Sequence, residues 1–137
     1  MAGPDINTVA LEVLGEIGVG PAGYSAARFW GATTQLPALL HLATLFPATK
    51  INGVLQSRRS NRHRAKLSYR EIALLELLRD PDAYIEIEWL EFVERVRRSF
   101  LAGEINLDQF REAVAGEHST SVRSNFEKLI AGLVAID

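Results

Sequence analysis

A chain of 137 residues without cysteine has the length of one domain, can bury a core without metal support, and excludes disulfides, Cys-ligated zinc and thiol catalysis. With 47% of its residues apolar and 23% charged, it reads as globular rather than disordered. The net charge is only −2, yet Ile17 to Arg70 holds no Asp or Glu and the segment after it is crowded with them, which predicts opposed basic and acidic surfaces.

Residues 5–17 are predicted to form a helix. Asp5 is a capping residue, and Ile6, Val9, Ala10, Val13, Leu14 and Ile17 recur at helical spacing. Gly18 and Gly20 are read as its stop. Pro21 then opens a short second helix with Tyr24, Ala27, Phe29 and Trp30 as its bulky face, closed by Gly31 as a C-terminal glycine. The aromatic residues read as core, with a partner-binding anchor as the other use of such a face.

Thr33-Thr34-Gln35-Leu36-Pro37 is a connection, because Pro37 disfavours helix in the residue before it. Residues 38–46 are apolar on both faces, as for a buried strand, with helix as the rival reading. Pro47 breaks this run, Asn52-Gly53 is a tight-turn dipeptide, and strands are read on either side of these breaks, ending near Val54 to Ser57. The apolar run Leu36 to Phe46 is too short for the ~18 residues of a membrane span. The opening Met1-Ala2-Gly3-Pro4-Asp5 lacks the basic start of a secretory signal, so the expected compartment is cytoplasmic.

Four helical segments follow. Ser68 and Glu71 make a capping box, with Leu67 and Ile72 at the places of a hydrophobic staple, and Asp80-Pro81 ends that helix. Trp89, Val93, Val96 and Phe100 mark the next, stopped by Gly103, with an uncertain start because residues 84–88 alternate. Leu107 to Ala115 is a shorter helix capped by Asn106 and closed by Gly116. Ser119 or Ser121 opens the last, which turns Val122, Phe126, Leu129, Ile130 and Leu133 inward. The expected architecture is α+β and mostly helical: two N-terminal helices, a small antiparallel sheet, and a C-terminal helical bundle in a single domain over 1–137.

Six cations, Arg58, Arg59, Arg62, Arg64, Lys66 and Arg70, fall within thirteen residues with no carboxylate among them. Arg and Lys meet phosphate by charge, and the interspersed Ser57, Ser60, Asn61 and Ser68 can add neutral hydrogen bonds, so this run is the candidate nucleic-acid-binding strip. The bland reading is a solvated basic loop or a surface for an acidic partner. No aromatic interrupts the run, so base stacking is not expected. His41, His63 and His118 lack metal-ligand spacing, and His41 reads as a hydrogen-bonded core histidine. Glu86, Glu88, Glu91 and Glu94 read as a solvated helix face with Arg95 and Arg98 as i,i+4 partners. No phosphate-binding glycine loop and no nucleophile elbow is present. No catalytic residue, cofactor or metal is therefore expected, and the chain reads as a non-enzyme.

The stretch Gly20-Pro21-Ala22-Gly23-Tyr24-Ser25-Ala26-Ala27-Arg28-Phe29-Trp30-Gly31, followed by Ala32-Thr33-Thr34-Gln35-Leu36-Pro37, resembles the middle of AbiEi-type antitoxins. A short strand pair, a basic segment from Ser57 to Lys66 and the helix opened by Leu67-Ser68 continue the likeness in order. It covers roughly residues 5–80 and extends loosely over the last two helices. The resemblance implies an antitoxin C-terminal domain from an abortive-infection, phage-defence toxin–antitoxin system. Its partner would be a nucleotidyltransferase-like toxin, termed AbiEii, acting directly or only functionally. Such antitoxins usually also repress their own operon by binding operator DNA, with an N-terminal winged helix helped by positive charge on the C-terminal domain. Only about twenty residues precede the Gly-Pro segment here, so no winged helix is expected. That leaves backbone contact rather than sequence reading as the expected DNA role. The alternative is a protein-interaction module without nucleic-acid binding.

Overall fold

A computed structural model describes residues 5–46 and 49–135. In chain order these form α1 (Ile6–Leu14), β1 (Gly20–Pro21), α2 (Gly23–Phe29), β2 (Leu40–Thr44), β3 (Val54–Arg58), a 3-10 helix (Arg62–Lys66), α3 (Tyr69–Leu77), α4 (Pro81–Tyr84), α5 (Trp89–Leu101), α6 (Leu107–Gly116) and α7 (Thr120–Ala135). The fold is α+β with helix dominant. The break read at Pro47 and the opening Met1 to Pro4 lie outside the described residues.

The helix ends follow local chemistry. Asp5 accepts a hydrogen bond from Thr8 N at 2.9 Å, and Asn106 accepts one from Gln109 N at 3.1 Å, each satisfying an orphan donor of a first turn. Ser68 and Glu71 form the reciprocal capping box. Helix α1 ends at Gly15, whose φ is 80°, earlier than the expected stop at Gly18 and Gly20. Helix α3 ends at Leu77 with Leu78 as its cap, ahead of the expected stop at Asp80-Pro81, which instead opens the one-turn helix α4 with Pro81 at its first position, where proline costs nothing because the N–H is unpaired anyway. The run 62–66, read from sequence only as a basic segment, folds as a 3-10 helix with Asn61 as its cap, its side chain accepting from His63 N at 3.1 Å.

The sheet departs from the expected antiparallel one. Its order is β1-β2-β3. Gly20 and Pro21 pair antiparallel with Ala43 and Leu42, but β2 and β3 run parallel, with Leu40 opposite Val54 and Thr44 opposite Arg58. Asn52-Gly53 does form a turn, with Val54 N donating to Ile51 O at 3.2 Å. That turn ends the return path and launches β3 in the same direction as β2, so it is not the tip of a hairpin. Gly20 sits in β1 rather than at a helix end, and a Cβ there would lie 2.5 Å from Ile72 Cβ. The missing side chain lets the strand lie against α3.

Helix α3 is central. Residues 71 to 78 are all buried, and a helix covered on every side belongs inside a domain. Trp30, Phe92, Val96, Phe110, Phe126 and Leu129 pack in the same core as Ile72, Leu75 and Leu78. A smaller cluster of Ala10, Val19 and Leu42 joins α1 to the sheet. Tyr69 ties α1 to α3 by donating to Asn7 Oδ1, and burial together with the Asp5 charge pushes its phenol up to about 12.

Candidate nucleic-acid interface

Burying α3 on all sides takes Glu76 out of water, and a buried carboxylate needs cations. Arg59, just beyond β3, supplies a two-pronged contact: Nε at 3.1 Å from Glu76 Oε2 and Nη2 at 2.9 Å from Oε1. Arg64, in the 3-10 helix, bridges Glu76 to Glu117, the residue closing α6. Its Nη1 lies 2.7 Å from Glu76 Oε2, an ion pair without hydrogen-bond alignment. Its Nη2 and Nε donate to Glu117 at 2.6 Å and 3.0 Å. Asn61 Nδ2 donates to Glu117 Oε2 at 2.6 Å and to Ala113 O at 2.7 Å. The cluster pins the basic segment to α3 and α6.

Burial raises the Glu76 and Glu117 carboxyls, but the opposing hydrogen bonds and charges win. Arg59 and Arg64 bring Glu76 below its ordinary value. Arg64, with Asn61, does the same for Glu117 against the repulsion of Glu76. Burial likewise works against the Arg64 charge, and Glu117 and Glu76 outweigh it, so the guanidinium is held more firmly protonated. Arg59 and Arg64 balance Glu76 and Glu117, with Arg79 a third, looser cation at 3.6 Å from Glu117, so the close-packed part of this internal strut is neutral.

The six predicted contact residues therefore divide. Arg64 is 0% exposed and cannot reach a phosphate, which corrects its placement in the binding strip. Its desolvated charge is already matched by two carboxylates. Arg59 is largely committed to Glu76, with its side chain 23% exposed. Arg70 turns to another part of the molecule, stacked on Phe29 and Trp30. Arg58, Arg62 and Lys66 are exposed, and among the described residues none of them has an ion-pair partner within reach.

Arg58 and Arg62 face an open cleft of about 880 Å³ between the sheet, the 3-10 helix and the α6–α7 junction. The fold adds groups there that the sequence run did not contain. Arg79 from the end of α3 and His118 from the α6–α7 link line the same cleft. Arg79 makes only a 3.6 Å contact with Glu117 Oε1. Phe46, 59% exposed, lines the wall, so an aromatic face does stand beside the cations although none lies within the run itself. Nothing in the spacing of Phe46, Arg79 and His118 signals this convergence. It follows from the parallel return of β3 and from Glu117 drawing the end of α6 onto Arg64.

His41 is half-buried. Its Nε2 is 2.7 Å from Ser57 Oγ and its backbone N–H donates to Ser25 Oγ at 2.9 Å, so the expected hydrogen bonding is present while the residue lies at the edge of the core rather than within it. Burial lowers its pKa, with Glu76 raising it and Arg59 lowering it further. The carboxylates after residue 80 also divide. Glu91 meets Arg95 at 3.4 Å and Glu94 meets Arg98 at 3.9 Å, both on the predicted i,i+4 spacing. Glu86, however, gathers the Thr33-Thr34-Gln35 motif. Thr33 Oγ1 donates to its carboxylate, Thr34 N does so at 3.3 Å, and Glu86 N donates back to Ala32 O at 2.8 Å. This motif is a structural clasp between the α2–β2 and α4–α5 connections. Among the described residues, no group of three or more His, Asp or Glu gathers as for a metal, and no helix is long and apolar enough to cross a membrane.

Comparisons with family models, with curated proteins and with solved structures find no match for this chain.

Proposed function

We propose that this domain is a non-enzymatic antitoxin of a cytoplasmic toxin–antitoxin system that also contacts nucleic-acid phosphates through the rim of its basic cleft. The observation that carries the nucleic-acid part is the separation of cations by role. Arg59 and Arg64 are neutralised by Glu76 and Glu117, which leaves Arg58 and Arg62 along an accessible cleft, beside an Arg79 held by Glu117 only at 3.6 Å. Such cations position a protein on the phosphate backbone and make binding salt-dependent without choosing a base sequence. The antitoxin part rests on the ordered AbiEi-like segments, Gly20 to Pro37 and Ser57 to Asp80.

The test is to co-express the chain with the product of its neighbouring gene and to measure growth and binding. Restored growth beside a toxic nucleotidyltransferase supports the antitoxin reading, and unrelieved toxicity overturns it. Relief without any shift of upstream DNA leaves a protein-interaction module that uses the same basic cleft against an acidic partner.

A further inference from the structure

A second cleft, of about 530 Å³, opens on another part of the molecule between the end of α2 and the C-terminal half of α5. Four arginines, Arg28, Arg70, Arg95 and Arg98, line it against a single carboxylate, Glu104. We propose that this cleft binds a polyphosphate anion, either free or as the phosphate chain of a nucleotide.

Charge and preorganisation support this. Glu104 meets Arg70 at 3.5 Å, and Glu91 and Glu94, which do not line the cleft, meet Arg95 and Arg98 at 3.4 Å and 3.9 Å. All three contacts are longer than the ~2.7–2.9 Å of a strong charge-assisted hydrogen bond, so these guanidinium forks are loosely held, and among the described residues Arg28 has no carboxylate partner. Arg70 is fixed before any ligand arrives: its guanidinium carbon lies 5.0 Å from the Phe29 ring centre and 5.2 Å from that of Trp30, and Trp30 Nε1 donates to its carbonyl at 3.3 Å. Arg95 Nε is buried with no hydrogen-bond partner, a costly state for a charged donor. Gly31 completes the wall with φ 67°, and a Cβ there would stand 2.7 Å from Arg95 Nη1. Guanidinium forks match phosphate oxygens in pairs, and a chain of phosphates is the small anion that can use several forks together.

The experiment is titration calorimetry of the intact chain at low and physiological salt, with inorganic tripolyphosphate, a nucleoside triphosphate and the bare nucleoside. Saturable 1:1 binding of tripolyphosphate or the triphosphate, absent for the nucleoside, is expected. Which of the two binds identifies the source. Arg95→Gln and the well-exposed Arg98→Gln should each weaken it about tenfold or more, while Arg58→Glu/Arg62→Glu leaves it unchanged. No saturable binding, equal binding by the Arg95 and Arg98 variants, or equal loss in the Arg58/Arg62 variant overturns the proposal. Because the Arg58/Arg62 variant reports on the first cleft, the two readings fail separately.

Discussion

Arg64 stands between Glu76 and Glu117, 2.7 Å from one carboxylate and 2.6 Å from the other. It joins three elements that are remote in the chain, α3, the 3-10 helix and the end of α6. Removing one partner from a buried ionic cluster costs about 3–5 kcal/mol, because the remaining charges stay desolvated and unpaired. Arg64→Met should therefore lower Tm by roughly 10–20 °C in a thermal melt. A shift of a degree or two would show that the strut is dispensable.

The same cluster sets a pH dependence. Glu76 and Glu117 have folded-state values below the ordinary 4.5, so their contribution is complete above that pH and is lost as pH falls through the lowered values. His41 is also lowered, from 6.5, so its neutral form is favoured in the fold and its contribution declines as pH falls below 6.5. Both act in one direction. Urea unfolding from pH 8 to 3 should show stability falling in two stages, the first below 6.5 and the second below 4.5. His41→Gln should remove the upper stage and leave the lower.

Gly20 and Ile72 define a close approach of strand to helix. Gly20→Ala places a methyl 2.5 Å from Ile72 Cβ, an atom anchored directly to the backbone of α3. Overpacking of this kind costs about 1–3 kcal/mol. Urea unfolding should report that loss, and Ile72→Val should not restore it, because the Cβ remains.

Glu86 is the clasp of the Thr-Thr-Gln turn. Glu86→Ala should speed hydrogen exchange at Thr34, which donates to that carboxylate, while amides of α3, held by other contacts, keep their protection. Unchanged exchange at Thr34 would detach the motif from this role.

How much of this is legible from sequence depends on how local the signal is. The Ser68–Glu71 capping box, the Asp5 and Asn106 caps and the apolar stripes of α5 and α7 are written within a turn or two of chain. The parallel β2–β3 pairing is not, because Asn52-Gly53 marks a turn without saying which strands flank it. The basic run misleads most. Its acid-free composition suggests segregated charge, yet Glu76 lies 12 residues beyond Arg64 and Glu117 53 residues beyond it. Charge separated along a chain is brought together wherever a buried helix carries a carboxylate. Arg79, His118 and Phe46 reach the cleft by the same long-range route.

The role assigned to Arg58 and Arg62 is tested most directly by the salt dependence of DNA binding. Fluorescence anisotropy on a labelled duplex from the upstream region, titrated from low to physiological salt, gives the slope of log K against log salt. Reversing both charges, Arg58→Glu/Arg62→Glu, should weaken binding and flatten that slope by about 1.8, which is close to 0.9 for each phosphate that is no longer neutralised. An unchanged slope and affinity in a variant that folds and melts like the parent would contradict nucleic-acid contact at this cleft.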